Sequence, residues 1–354
     1  MTKGELLRNS FKYLCCSIIA WDDPNRKTED NPYNANYFFS EKYKKDFLSP
    51  VDKIRKMSKI SYFANKNTST NFNVIEIGDE VIFAFRGSDS KQDWLSDFNF
   101  FKVKFENTKN YINEVLKPEL SEEEYNTLVF EEYMKGEEGL NISEFFKNNA
   151  LISPFVSAFN GENSFVNLFT KLKKNNEENK TEVGLSSSSS NFIAKTIEET
   201  KDLVFHKGFF LQFNSVVDIL ETEVSKYVDS NKNITFCGHS LGAPLAKLGW
   251  LVSCLKHPEI FQRSHCYIFG TPKLGNKALN ILFDKLGKDN RLVVTNIASD
   301  LVKSVPPENL GYPNPKDDII IKPIKAPFKT KFDHTLFYYL YCFRNKAPVE
   351  FNKK

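Results

Sequence analysis

Phe236-Cys237-Gly238-His239-Ser240-Leu241-Gly242 is the stretch whose reading decides the fold. Ahead of it, Ile234-Thr235-Phe236-Cys237 is short and β-prone. Behind it, residues 243–250 (APLAKLGW) are able to run as a helix. A serine framed by two glycines at a strand-to-helix junction is the G-x-S-x-G turn, in which the chain reverses sharply and lifts the serine hydroxyl clear of the strand. Such a turn strains the serine backbone and leaves room only for small neighbours, which Gly238 and Gly242 supply. The N-terminus of the following helix then favours negative charge developing beside the hydroxyl. Ser240 is therefore the candidate nucleophile.

Outward from this turn, β-prone and helix-prone runs alternate. Residues 73–85 hold two β-prone runs around Gly78-Asp79, a hairpin signal, and the second run ends in Arg86-Gly87-Ser88. Apolar order returns at 203–210, and a helical run through 211–228 leads to the strand before Ser240. Residues 266–272 read as a strand then a loop, 291–297 as another strand, 317–321 as a short terminal strand, and 335–343 as a last helix. Residues 1–65 read as mostly helical. Within them Leu6, Leu7, Phe11, Leu14 and Ile18 recur at helical spacing, which favours an amphipathic helix over a signal peptide. This alternation predicts an α/β fold with a mainly parallel central sheet flanked by helices, with chemistry at the C-terminal ends of the strands. The whole chain, 1–354, is expected to form one domain interrupted by an insertion at 105–200. The acidic, Lys/Asn-rich and serine-rich composition of 171–191 predicts a disordered stretch.

The bulk numbers exclude several functions. The formal net charge is +3 over 354 residues, with no basic stripe, so no nucleic-acid partner is expected. No apolar run approaches the length of a membrane span. The six cysteines form no C-x-x-C pair and no zinc spacing with the five histidines, so neither a metal nor a cofactor is expected. Cys237 and Cys266 fall in apparent buried strands, where a free thiol acts as a small hydrophobe. A reducing compartment fits this usage, and a cytoplasmic location is expected ahead of a secreted one.

A serine nucleophile needs a base, and the base needs an orienting carboxylate. With a G-x-S-x-G turn on an α/β sheet, the chain order is serine, acid, histidine. Three histidines follow Ser240: His257 at a helix end, His265 before a strand, and His334 in a loop leading into the last helix. Asp284, Asp289, Asp300, Asp317, Asp318 and Asp333 are the carboxylate candidates. Asp300 is favoured because it ends an apolar strand and precedes Leu301-Val302. Asp317 and Asp318 read as a solvated turn, and Asp333 adjoins His334 too closely in sequence to face it. Once Asp300 is taken as the acid, only His334 lies beyond it.

Four separated segments together resemble the fungal-type, or class 3, lipase family of α/β-hydrolases. They are Phe83-Ala84-Phe85-Arg86-Gly87-Ser88 with Asp93-Trp94-Leu95-Ser96-Asp97, Phe205-His206-Lys207-Gly208-Phe209, Gly238-His239-Ser240-Leu241-Gly242, and Phe269-Gly270-Thr271-Pro272-Lys273-Leu274-Gly275-Asn276. Residues 296–302, Val305-Pro306-Pro307 and Asp333-His334 match as well. The resemblance implies an α/β-hydrolase with Ser240 as nucleophile, His334 as base and Asp300 as orienter. It implies an oxyanion hole made by Ser88 and the backbone N–H of Leu241, and a lid in the 105–200 insertion. Arg86 and Trp94 are expected to hold the oxyanion loop, His206 to pack and hydrogen-bond, and His239 to be a satisfied, partly buried ring. The implied activity is hydrolysis of carboxylic esters of lipids, at a membrane or lipid-droplet surface. A phospholipase A-type acyl hydrolase, a non-catalytic lipase-like interaction module and a peptidase on the same fold are the alternatives.

Overall fold

The computed structural model describes residues 1–24, 41–65, 70–87, 140–141, 188–200, 203–306, 308, 311–326 and 333–352. Its centre is an eight-stranded sheet of β1 (Lys59–Asn65), β2 (Thr70–Ile77), β3 (Glu80–Phe85), β6 (Asn233–His239), β7 (Ser264–Phe269), β8 (Leu292–Ile297), β9 (Ile319–Ile321) and β10 (Val349–Phe351), in that spatial order. Strands β3, β6, β7, β8 and β9 run parallel, whereas β1, β2 and β3 pair antiparallel and β10 returns antiparallel on β9. Two short strands, β4 (Leu140–Asn141) and β5 (Val204–Phe205), pair apart from this sheet. The mainly parallel α/β sheet expected from the sequence is thus the observed one.

Both faces of the sheet are covered, and the strands show it residue by residue. Side chains alternate across a strand. Val81, Phe83 and Phe85 of β3, with Ile234 and Phe236 of β6, enter one core, together with α4 (Lys207–Asn214), α5 (Val217–Ser225), α6 (Gly242–Lys256) and α7 (Lys277–Leu286). Ile82, Ala84 and Cys237 point the other way, into a core shared with α1 (Lys3–Ile19) and α8 (Leu336–Arg344). A strand buried on both faces reads as a continuous apolar run, which is how the sequence around 81–85 and 234–237 reads. Helix α6 is buried from Gly242 to Leu255, so its N-terminus is held rigidly behind Ser240.

Helix α1 starts with a capping box, in which Thr2 Oγ1 accepts from Glu5 N–H at 3.2 Å and Glu5 Oε2 accepts from Thr2 N–H at 2.7 Å. Its middle is tied to the sheet through buried Glu80, which accepts from Lys12, Tyr13 and Thr235, the last at 2.8 Å. The N-terminal apolar run is therefore part of the core.

Three expectations need correction. Residues 59–65 form edge strand β1, where a helical stretch was expected, because their half-buried pattern acquires meaning only by pairing with β2. Strand β9 is not terminal, since the three-residue β10 closes the sheet edge. The disordered stretch expected at 171–191 cannot extend past 187, because Ser188 opens α3 (Ser188–Glu199). The remainder of 171–191, and most of the 105–200 insertion, lie outside the described residues.

Candidate active site

Strand β6 ends at His239, and Ser240 follows with φ 57°, a left-handed conformation that a residue with a side chain rarely adopts. The two flanking glycines explain how the turn closes. A Cβ on Gly238 would lie 2.1 Å from the carbonyl oxygen of Gly242, and one on Gly242 would lie 2.3 Å from that of Phe85. The turn is fastened by Ser240 N–H donating to Phe269 O at 3.1 Å and Ala243 N–H donating to Ser240 O at 3.0 Å. Leu241 occupies the N-cap of α6, so the positive end of a buried helix dipole adjoins the serine.

Asp300 and His334 arrive from other elements. Asp300 follows β8 by three residues and is 1% exposed. His334 precedes α8 and is 5% exposed. His334 Nδ1 and Asp300 Oδ2 are 2.8 Å apart. Gly270, directly beyond β7, lies against both, and a Cβ there would come 3.0 Å from Asp300 Oδ2 and from His334 Nδ1. Asp300 also accepts from Tyr339 Oη at 2.7 Å and, through Oδ1, from Val302 N–H at 2.9 Å. Burial by itself pushes the Asp300 carboxyl up. The His334 charge, its hydrogen bond, the Tyr339 hydroxyl and the Val302 N–H outweigh that and hold it below the usual carboxylate range.

The competing acids and bases are accounted for elsewhere. His257 meets Glu221 at 2.7 Å, on the side of α5 and α6. His265 sits near the start of β7, at the opposite end of the sheet from Gly270. Asp318 Oδ2 accepts from Val294 N–H at 2.9 Å, and Asp317 Oδ1 accepts from Asn296 Nδ2 at 2.6 Å. These two aspartates are not a solvated turn as expected. Asp318 is buried, and burial raises Asp317 above its usual range. Asp333 accepts from the Ser299 hydroxyl, which ties the loop of Asp300 to that of His334.

Of the predicted oxyanion residues, Leu241 stands at the N-cap of α6, and Ser88 lies outside the described residues, as does Trp94. The loop toward Ser88 is anchored at its start. A Cβ on Gly87 would lie 3.4 Å from Ser240 Cβ and 3.5 Å from the Trp21 ring. Arg86 is buried and donates its N–H to Asn71 O at 3.0 Å. Its guanidinium lies 5.5 Å from the Trp21 ring, and the Asn71 amide oxygen, turned toward it, accepts from Nη2 at 2.6 Å and Nη1 at 2.7 Å. Arg86 therefore ties the end of β3 to Asn71 of β2 and to Trp21. His206 is a packing residue beside Phe209 and Tyr312, and burial lowers its pKa to about 3. Among the described residues, no cluster of three or more His, Cys, Asp or Glu is arranged to hold a metal ion, and no helix is long and apolar enough to cross a membrane.

Sequence reasoning missed Tyr339. It lies in the aromatic run 337–341 beside Tyr338 and Tyr341, and nothing in that run distinguishes the tyrosine that reaches Asp300.

Fold and serine turn together define an α/β-hydrolase. The family model described as Lipase (class 3) matches residues 156–310, under half of the chain, and over that stretch the chain resembles the class 3 lipases. It is similar to the secreted mono- and diacylglycerol lipase LIP1 of Malassezia globosa, 34% identical over 119 residues, which cover 33% of this chain and 38% of that protein. It is also similar to phospholipase A1-IIgamma of Arabidopsis thaliana, 31% identical over 112 residues, 30% of this chain and 26% of that protein. The matched stretch thus spans well under half the length of these relatives. Lipase II from Rhizopus niveus shares the fold, with a TM-score of 0.50 at 14% identity, over 93% of this chain and 88% of that one.

The cytoplasmic location expected from the cysteines is overturned by these comparisons, in which the Malassezia relatives are named as secreted lipases. The structure shows why the cysteines misled. All six are free and buried, and burial pushes the thiols of Cys15, Cys237 and Cys254 up to about 12. A thiol sequestered in this way is inert, so its being unpaired carries no information about the compartment.

Proposed function

We propose that this protein is a secreted serine hydrolase that cleaves carboxylic esters of lipids, with acylglycerols as substrates. The observation that carries this reading is the His334–Asp300 hydrogen bond, taken together with a serine held in left-handed backbone at a helix N-terminus. Ser240 Oγ attacks the acyl carbonyl while His334 takes its proton through Nε2. Asp300, kept ionised by His334, Tyr339 and the Val302 N–H, holds the imidazole by Nδ1 and stabilises the imidazolium that forms. The tetrahedral oxyanion is received by the Leu241 N–H and by Ser88. Collapse of this intermediate breaks the ester bond, and His334 returns the proton to the departing alcohol. Water, deprotonated by His334, then releases the fatty acid from Ser240. In this reading the 105–200 insertion covers the acyl site.

The test is hydrolysis of short-chain esters, mono-, di- and triacylglycerols and a phospholipid panel, with Ser240→Ala as control. Ester turnover that vanishes in the variant supports the reading, and turnover that survives in it refutes the assignment of Ser240. Preference for the phospholipids would move the substrate class to phospholipase A.

A further inference from the structure

His239, at the variable position of the G-x-S-x-G turn, is not the satisfied, partly buried ring expected. It is 2% exposed, and neither ring nitrogen makes a hydrogen bond of normal geometry among the described residues. A buried imidazole left so is a costly choice for a space-filling position. What the ring does touch is specific. Its plane lies on the His334 imidazole, with centroids 4.5 Å apart and planes inclined by 29°. The ring also meets Tyr339 edge-on at 5.5 Å and 71°, and Tyr339 is the residue whose hydroxyl bonds Asp300.

The hydrogen bond at Nδ1 sets where the His334 ring meets Asp300. Gly270 bears on the ring near Nδ1 and Cε1, so both of these contacts act at its edge. A flat aromatic neighbour limits the tilt. From these contacts we propose that His239 is a positioning residue whose ring, stacked on His334, fixes the plane of the base so that one nitrogen stays on Asp300 while the other faces Ser240. This rests on the reading of Ser240, His334 and Asp300 as the triad. Burial first, and then the His334 charge, drive the His239 pKa well below its usual value, against the opposing pull of Asp300 and of the His334 backbone. His239 therefore stays neutral and does not compete for the proton that His334 carries.

The test compares His239→Phe, which keeps a flat ring, with His239→Leu and His239→Met, which do not. On a soluble short-chain ester, Phe should stay within about threefold of the parent kcat, while Leu and Met lose about tenfold or more with KM little changed, the signature of misalignment in the transition state. In histidine-labelled protein, the His334 Cε1–H resonance should keep its ring-current shift in the Phe variant and lose it in the aliphatic ones. Parent-like kcat in all three, or an equal loss in Phe and Leu, would overturn the proposal, as would a His334 resonance unmoved by Leu. If both aliphatic variants fail to fold, the Phe variant decides: a retained kcat and ring-current shift support the stack, and a loss of about tenfold in kcat overturns it. Ser240→Ala in the same assay separates this from failure of the esterase reading: Ser240-independent turnover sinks that reading, while the His334 resonance still reports the stack.

Discussion

Tyr339→Phe removes one oxygen atom and leaves the aromatic packing in place, so its effect can be worked from two hydrogen bonds. Tyr339 Oη donates to Asp300 Oδ2 at 2.7 Å and accepts from Ile297 N–H at 3.0 Å. The first bond is to an ionised group and is worth about 1.5–3 kcal/mol, and the stranded Ile297 N–H, buried in the sheet, costs about 1–3 kcal/mol. Together they predict a loss of about 2.5–6 kcal/mol. Unfolding entropy of about 2.1 cal/mol/K per residue over 354 residues gives about 0.7 kcal/mol/K, so Tm should fall by about 3–8 °C. A second readout is acid stability. The Asp300 pKa is depressed in the folded state, so its contribution is fully present above the ordinary carboxylate pKa and is lost as pH falls through the folded value. Removing the Tyr339 bond raises that folded value, so acid unfolding should move to higher pH. Calorimetry and a pH series of circular-dichroism melts measure both. A Tm within about 1 °C of the parent, together with an unshifted acid limb, would refute the claim that this hydroxyl supports Asp300.

Ser240→Ala and His334→Ala should each abolish ester hydrolysis, and the double variant should be little worse, because groups acting as a unit are not additive; additive losses in steady-state kinetics would break the triad reading. Ser88→Ala should lower kcat by roughly 10- to 1,000-fold with a smaller effect on KM, the scale of losing one oxyanion donor; an unchanged kcat would place Ser88 away from the oxyanion. Gly238→Ala should destabilise the protein by at least about 3 kcal/mol, since its methyl group meets backbone rather than a movable side chain; a parent-like denaturant midpoint would contradict the tight turn. His206 is neutral when folded and gains a proton on unfolding below its ordinary pKa of about 6.5, so stability should fall as pH drops from there toward its folded value of about 3. His206→Phe should flatten the stability–pH slope in that window by about one proton, and an unchanged slope would mean the ring is not buried as a neutral group.

The sequence by itself determined the parts of this protein that are local or ordered along the chain. The nearly unbroken apolar runs at 81–85 and 234–237 read as strands covered on both faces, because side-chain direction has period two and such a run turns apolar groups to each side. Gly238 and Gly242 marked the turn at Ser240, because a backbone that comes within reach of another backbone excludes every Cβ. Asp300 was favoured because it ends an apolar strand, and His334 because it is the one histidine beyond that aspartate. The tertiary structure decided the rest. Strand β10 exists only because β9 offers it an edge, and β1 only because β2 does. Tyr339 differs from Tyr338 and Tyr341 only in its orientation on α8, which one-dimensional spacing does not carry. His239 alternates onto the face where His334 arrives, and a ring–ring contact between residues 95 positions apart has no signature in either neighbourhood. The inert state of the cysteines is likewise a property of burial, which desolvates the thiolate, and burial is settled only when helices close over the sheet.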